Sequence, residues 1–255
     1  SSAPNKKSIK DKKKSNSPVK KQSAFSVAFL SSISEDIKNQ FDKNVLNSVV
    51  ERHEKLGASR KLGAVLIDIY NPVQSKHGWD GRHTAIDIVT DDKAFIIDSV
   101  IALLTSKSYL IEHIVHPLLF IGRDKSGKVQ TISSSRDKDL VGQSHIFVQL
   151  NRRLTTLEMG RLQKEILNVY QDVHLSNRDW LGIKQRVKSL HHSVQSTANI
   201  NINQKEDFLA FLDYIHDDNF TLLGYCDYSL EGKKSGFVAE KSAGLGLLSS
   251  ERADS

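Results

Sequence analysis

Between Thr84 and Asp124 the spacing of apolar positions changes twice. Thr84–Thr90 alternates as a β-strand does, with Ile86 and Ile88 on one side and Ala85 on the other. After Asp91-Asp92, the residues Phe95, Ile96, Val100, Leu103 and Leu104 recur at spacings of three and four, which predicts an amphipathic helix to about Lys107. Tyr109–Arg123 returns to strand composition, Asp124–Gly127 reads as a hairpin-like turn, and Val129–Ile132 as the start of a return strand. Ser144–Leu150 alternates again and enters a helix with Leu154, Leu157, Leu162, Ile166, Val169, Tyr170 and Val173 on one side. Strand, helix, strand, strand, helix is thus legible from Thr84 to about His174, five-sixths of a βαββαβ unit.

The flanks read more simply. Ser32 and Glu35 have capping-box spacing, and Ile37, Phe41, Val45, Leu46, Val49 and Leu56 follow at helical intervals up to Gly57, which predicts one N-terminal helix. Gly63–Tyr70 reads as a strand closed by Asn71-Pro72. Further on, Trp180–His192 looks helical, residues 193–203 read as a polar linker, Lys205–His216 as a helix, and Asn219–Leu230 as a strand. The last residues, from Ser242, look like a flexible end. The expected organisation is a disordered basic tail (1–24), an N-terminal helical segment (25–61), a central α+β unit (62–175), a helix and linker (176–204), and a helix with strands opening a following domain (205–255).

Charge changes this picture in one respect. The net charge is +6, but residues 1–21 hold eight lysines against Asp11 alone, so the rest of the chain carries about −1. A tract of lysine and serine with few apolar residues cannot offset the entropy of ordering, and predicts disorder. The near-neutral body lacks the basic face that would track phosphates, so no specific nucleic-acid partner is expected. Phe25–Leu30 is too short for a secretory signal, and no apolar run reaches membrane-spanning length, so no membrane partner and a cytoplasmic location are expected. Cys226, the one cysteine, excludes an internal disulfide and any site built of several thiolates; it is expected as a buried, inert thiol.

Candidate chemistry is sparse. His113 and His116, if both lie in one strand, point to opposite faces, and His191 and His192 diverge on a helix, so neither pair is a chelate and no metal site is expected. Asp91 or Asp92 suits a helix cap, and Asp98 the helix surface, better than an acid–base set. Gly244-Leu245-Gly246 resembles the start of a dinucleotide loop, but Ser249 replaces the third glycine and too little chain follows. Phe120 and Phe147 read as core residues rather than a base-stacking platform. No catalytic residue is expected.

Taken in order, Tyr70-Asn71-Pro72, Gly78-Trp79, Thr90-Asp91-Asp92, Phe95, Asp98-Ser99-Val100 and the run from His116 to Asp124 resemble the N-terminal region of the large bacterial NAD-dependent glutamate dehydrogenases. The segments 144–152, 208–230 and 244–248 continue the resemblance, which covers roughly residues 60–250. It implies an ACT-like (ferredoxin-like βαββαβ) sheet with helices on one face at about 62–175, plus flanking helices and a C-terminal strand region. It also implies a noncatalytic regulatory and assembly module. The family's catalytic lysine and Rossmann domain match nothing here, so NAD would belong to the parent enzyme, with no cofactor in this chain. Implied partners are other domains and subunits of the same enzyme, and an amino-acid effector at the turn Thr90, Asp91, Asp92, Lys93 and Phe95. That turn departs from effector-binding ACT turns in having no glycine. The alternative from a different class is a free-standing ACT-type amino-acid sensor.

Overall fold

The computed structural model describes residues 22–198, 201–231, 236–240 and 243–252. The basic segment 1–21, and with it the expectation of disorder there, lies outside the described residues. In the N-terminal segment, side-chain oxygens of Ser23, Ser34 and Asp42 each accept a backbone N–H and start a helix: α1 (Ala24–Ser31), α2 (Glu35–Asn39) and α3 (Lys43–Gly57). The single helix expected from Ser32 to Gly57 is therefore two, α2 and α3, and α1 precedes them. Ser32 ends α1, its N–H reaching the Ala28 and Phe29 carbonyls, rather than opening a longer helix.

The central unit runs β1 (Leu66–Tyr70), a short helical turn α4 (Gln74–His77), β2 (Ala85–Asp91), α5 (Ile96–Ser106), β3 (Ile111–Val115), β4 (Leu118–Arg123), β5 (Val129–Ser133), β6 (Val141–Leu150) and α6 (Thr156–Ser196). Tyr109–Arg123, expected as one strand, is broken at His116-Pro117, since proline brings no N–H to a ladder. Both halves still pair with β6. The strand order is β1-β2-β6-β4-β5 with β3 also beside β6, every pair antiparallel. Among the described residues no strand after α6 joins this sheet; β1, which precedes the unit read from the sequence, fills the edge beside β2.

The sheet is covered on both faces, not one. Ile86, Ile88, Ile146, Val148 and Leu150 pack with Val100 and Leu104 of α5 and Leu162, Ile166 and Tyr170 of α6. The alternate residues Tyr70, Ala85 and Phe147 pack with Phe25 and Phe29 of α1 and Leu46, Val49 and Val50 of α3. The N-terminal helices are thus a layer of the same body, and β2 is buried on both sides along Ala85–Thr90.

α6 is one helix of 41 residues, opened by a Thr155–Glu158 capping box. It crosses the expected boundary at 175–176 without interruption and takes in the first part of the expected linker. Its far half buries Ile183, Val187 and Val194, and α7 (Ile202–Tyr214) packs alongside it with Leu212 buried. The chain then kinks at Asp217–Asp218, with Asp218 left-handed (φ 62°). Asn219–Leu230 is not one strand. β7 (Gly224–Tyr225) pairs with β10 (Leu245–Gly246), and β8 (Tyr228–Glu231) with β9 (Gly236–Ala239). Between β7 and β8 the Tyr225 hydroxyl donates to Asp227 at 2.5 Å, and Cys226 is half-buried there. Nor is Leu245–Gly246 a loose end: Gly246 has φ 58°, and a Cβ there would fall 2.2 Å from the Leu223 carbonyl oxygen.

One sheet face is aliphatic; the face under α1 and α3 is not. Asp87 is fully buried, and directly opposite it on β1 stands Asp68, a like charge. Arg52 of α3 answers both, its Nε 3.0 Å from Asp87 Oδ2 and its Nη2 2.5 Å from Asp68, while its guanidinium lies 3.8 Å over the Tyr70 ring. Burial opposes the Arg52 charge, but Tyr70, Asp87 and Asp68 outweigh it and raise its pKa. Burial, reinforced by Asp87, pushes the Tyr70 phenol up.

A chain of donors approaches Asp87 from the other side. Gln143 Oε1 accepts from Arg60 Nε (3.2 Å) and Arg123 Nη2 (2.7 Å), which turns its Nε2 toward His145 Nε2 at 2.7 Å. His145 Nε2 must then accept, so its proton lies on Nδ1, 3.3 Å from His53 Nδ1. His53 in turn carries its proton on Nε2, which stands 3.4 Å from Asp87 Oδ1, within ion-pair reach though not aligned as a hydrogen bond. Phe25 and Phe29 cover the two imidazoles, with Phe25 5.1 Å from the His145 ring and Phe29 5.6 Å from that of His53.

Asp87→Ala takes from Arg52 one of its two carboxylates and from His53 the group its Nε2 faces, and is expected to cost about 3 kcal/mol in urea unfolding; an unchanged midpoint would show that the carboxylate holds nothing. Burial first, then His53, Arg123, Arg60 and His116, hold His145 well below the usual imidazole range. The unfolded chain takes up a proton near pH 6.5 that the folded chain refuses, so stability is full above that pH and falls as pH drops below it. His116, His174 and His77 are lowered as well and share the trend. His145→Gln is therefore expected to lessen the fall in melting temperature between pH 7 and 5 by about one proton's worth, roughly 1.4 kcal/mol per pH unit at most; an unaltered slope would mean that His145 protonates in place.

Candidate functional site

The turn from β2 into α5 was the expected effector site, and the structure distributes its residues. Thr90, still in β2, is fully buried, and its hydroxyl makes no hydrogen bond within the described residues. Asp91 is tied to Arg60 through Oδ1 and accepts the Gly63 N–H at 2.7 Å through Oδ2. Asp92 donates its N–H to the Gly142 carbonyl at 2.9 Å and accepts from the Ser144 hydroxyl at 2.9 Å. Neither aspartate caps α5, contrary to the sequence reading: both are drawn to the sheet and its N-terminal loop. The cap residue is Phe95, with left-handed backbone (φ 70°) and no capping side chain.

Lys93 reaches α6, where its Nζ bonds His174 Nδ1 and lies 5.4 Å over the Tyr170 ring. Burial lowers the Lys93 pKa against the pull of Asp91; burial, then Lys93 and Arg178, lower that of His174. Lys93 is thus the donor and a neutral His174 the acceptor. Asp98 is exposed in the first turn of α5, as expected for a helix-surface residue.

Of the five, Phe95 lines a cavity. It measures about 450 Å3 and is walled by Ala94, Phe95, Asn177, Trp180, Phe220 and Leu223 among others. Asn177 Nδ2 donates to the Ala94 (3.2 Å) and Val173 (2.9 Å) carbonyls, joining α6 to the turn, and Ser176 Oγ donates to the Leu223 carbonyl at 3.2 Å. The two sides of this cavity carry Phe95 and Asp218, both non-glycine residues at positive φ. Sequence reasoning missed Asn177, Trp180 and Phe220 because they lie eighty residues or more from the turn. The available signal was the lack of glycine in a tight turn, which obliges some other residue to take the left-handed conformation.

Elsewhere, His113 lies in β3 with its ring 4.8 Å from that of Phe41, and His116 in the break after it, where burial lowers its pKa. Among the described residues no three His, Cys, Asp or Glu side chains are grouped to hold a metal ion. The arrangement therefore offers a shaped apolar cavity beside satisfied carboxylates. Phe95→Gly is expected to stabilise the fold by up to about 1 kcal/mol through relief of left-handed strain at a half-exposed ring; a loss of similar size in thermal unfolding would mean that the ring's contacts outweigh the strain.

With the geometry in hand, comparison with known proteins is direct. The family model described as glutamate dehydrogenase, ACT1 domain, matches residues 25–166, from α1 into α6. The NAD-specific glutamate dehydrogenase of Pseudomonas aeruginosa is 27% identical over 186 residues, 71% of this chain and 12% of the relative. That of Halomonas elongata is 25% identical over 168 residues, 64% of this chain and 10% of the relative. That of Mycobacterium tuberculosis is 23% identical over 202 residues, 77% of this chain and 12% of the relative. The chain thus spans about a tenth of the length of these relatives. Since the matched stretch covers more than half of its residues, the chain belongs to the glutamate dehydrogenase ACT1 domain family.

Proposed function

We propose that this chain is a noncatalytic regulatory and assembly module of a large NAD-dependent glutamate dehydrogenase, an enzyme that oxidises L-glutamate to 2-oxoglutarate and ammonium with NAD. The observation that carries this reading is the ACT1 match together with relatives far longer than the chain. Catalysis and NAD binding belong to the rest of that enzyme. The central sheet is proposed as an ACT-like unit in which β1 occupies the edge that a final strand would take in a βαββαβ order. The polar groups support a noncatalytic role: the aspartates of the β2–α5 turn are engaged by Arg60, Gly63, Gly142 and Ser144. No helix among the described residues is long and apolar enough to cross a membrane, and we place the working enzyme in the cytoplasm.

A second reading, the amino-acid sensor, is favoured by the cavity at Phe95. In that reading Thr90, Asp91, Asp92 and Lys93 shape the turn, and Phe95 alone meets the ligand.

The isolated chain, given glutamate and NAD, is expected to form no NADH, and titration calorimetry with the standard amino acids to give no saturable heat. NADH formation would overturn the noncatalytic reading. Saturable heat abolished by Phe95→Ala would put the sensor in its place.

A further inference from the structure

One flank of α7 carries exposed aromatic side chains. Phe208, Phe211 and Tyr214 follow at spacings of three and are 43%, 50% and 52% exposed, whereas Leu212 is buried toward the body. The ridge does not stop at the helix end. The Tyr214 ring meets that of Phe220 edge to face at 6.0 Å, and Phe220 forms the mouth of the cavity with Trp180, Phe95 and Leu223. From Phe208 to Tyr214 the helix rises roughly 9 Å, so ridge and cavity together are longer than a small molecule and suit a polypeptide segment. Contiguous exposed aromatics leading to a pocket have the make-up of a binding hot spot.

Charge narrows the partner. Residues 202–219 carry Glu206, Asp207, Asp213, Asp217 and Asp218 against Lys205 alone. Asp218 is paired with Lys184 (2.8 Å) and Asp213 stands 3.3 Å from His191, while Glu206 and Asp207 make no ion pair among the described residues. At a hundred degrees per residue, Asp207 emerges on the same side of the helix as Phe211 and Tyr214. An acidic aromatic ridge repels nucleic acid and anionic lipid, and matches an apolar segment flanked by lysine or arginine. This surface lies beyond the stretch 25–166 matched by the ACT1 model, and about nine-tenths of the relatives' length lies outside the region similar to this chain.

Resting on the module reading above, we infer that the α7 ridge and the cavity at Phe95 form the docking site for a basic amphipathic segment from the remainder of the same dehydrogenase polypeptide, one large apolar side chain of which fills the cavity. The test uses the full-length enzyme with p-benzoylphenylalanine in place of Phe211, an exposed position whose replacement leaves the core untouched. Ultraviolet irradiation is expected to cross-link it to a lysine- or arginine-bearing peptide outside residues 1–255. Amides of α7 are expected to exchange about tenfold more slowly in the full-length enzyme than in the isolated chain, and Asp207→Lys to lower the cross-link yield several-fold. A cross-link to residues 1–255 of a second copy would replace the inference with self-association. No cross-link, with equal exchange in both proteins, would overturn it. Glutamate-dependent NADH formation by the same preparation tests the module reading separately, since its absence would refute that reading whatever the cross-link shows.

Discussion

Asp87 sits in the middle of the sheet with no access to water, opposite a second aspartate, and a charge so placed is tolerated only if the layer above supplies its partners. α3 supplies them. Arg52 and His53 are adjacent in sequence, and both reach the same carboxylate, one at each oxygen. Their approach fixes how far along the sheet α3 lies and which way it faces. Behind His53 the donor chain runs through His145 and Gln143 to Arg60 and Arg123, so the loop after α3, the hairpin of β4 and β5, and β6 are held in one polar seam. α1 closes the seam with two phenyl rings.

This seam engages most of the polar side chains buried under α1 and α3. Its histidines, arginines and aspartates serve as one another's donors and acceptors, and at one end Arg60, Arg123 and Gln143 also line a cavity of about 440 Å3. The opposite face, where α5 and α6 lie, is mainly aliphatic. Exposed aromatic side chains gather beyond α6, at Phe208, Phe211, Tyr214 and Phe220. A module with a rigid body and an uncovered aromatic end is suited to joining other parts of an enzyme.

The sequence disclosed the aliphatic half of the fold well, because α5, α6, β2 and β6 each bury a face with regular period. It disclosed the polar half poorly. Asp87, between Ile86 and Ile88, had no role in the sequence reading, whereas α3 buries it; the signal lay in an acid and, at His145, an imidazole within strands otherwise fit for burial on both sides. The helices α2 and α3 were merged because Asp42, which caps α3, lies inside an apolar period that continues across it from Ile37 to Leu56. At the candidate site, Phe95 was placed inside a helix by its spacing from Ile96 and Val100. The aspartates that would have capped that helix found stronger partners in Arg60 and Ser144, leaving Phe95 to make the turn. Distance in the chain hid Trp180, Asn177 and Phe220 from it altogether.

Side-chain nitrogen NMR of the folded chain at neutral pH reads the seam most directly, because the order of donors from Arg60 and Arg123 to Asp87 admits one tautomer at each imidazole. The expected spectrum has His145 protonated on Nδ1 alone and His53 on Nε2. A His145 protonated on Nε2, or on both nitrogens, would contradict the donor chain and with it the reason α3 lies where it does.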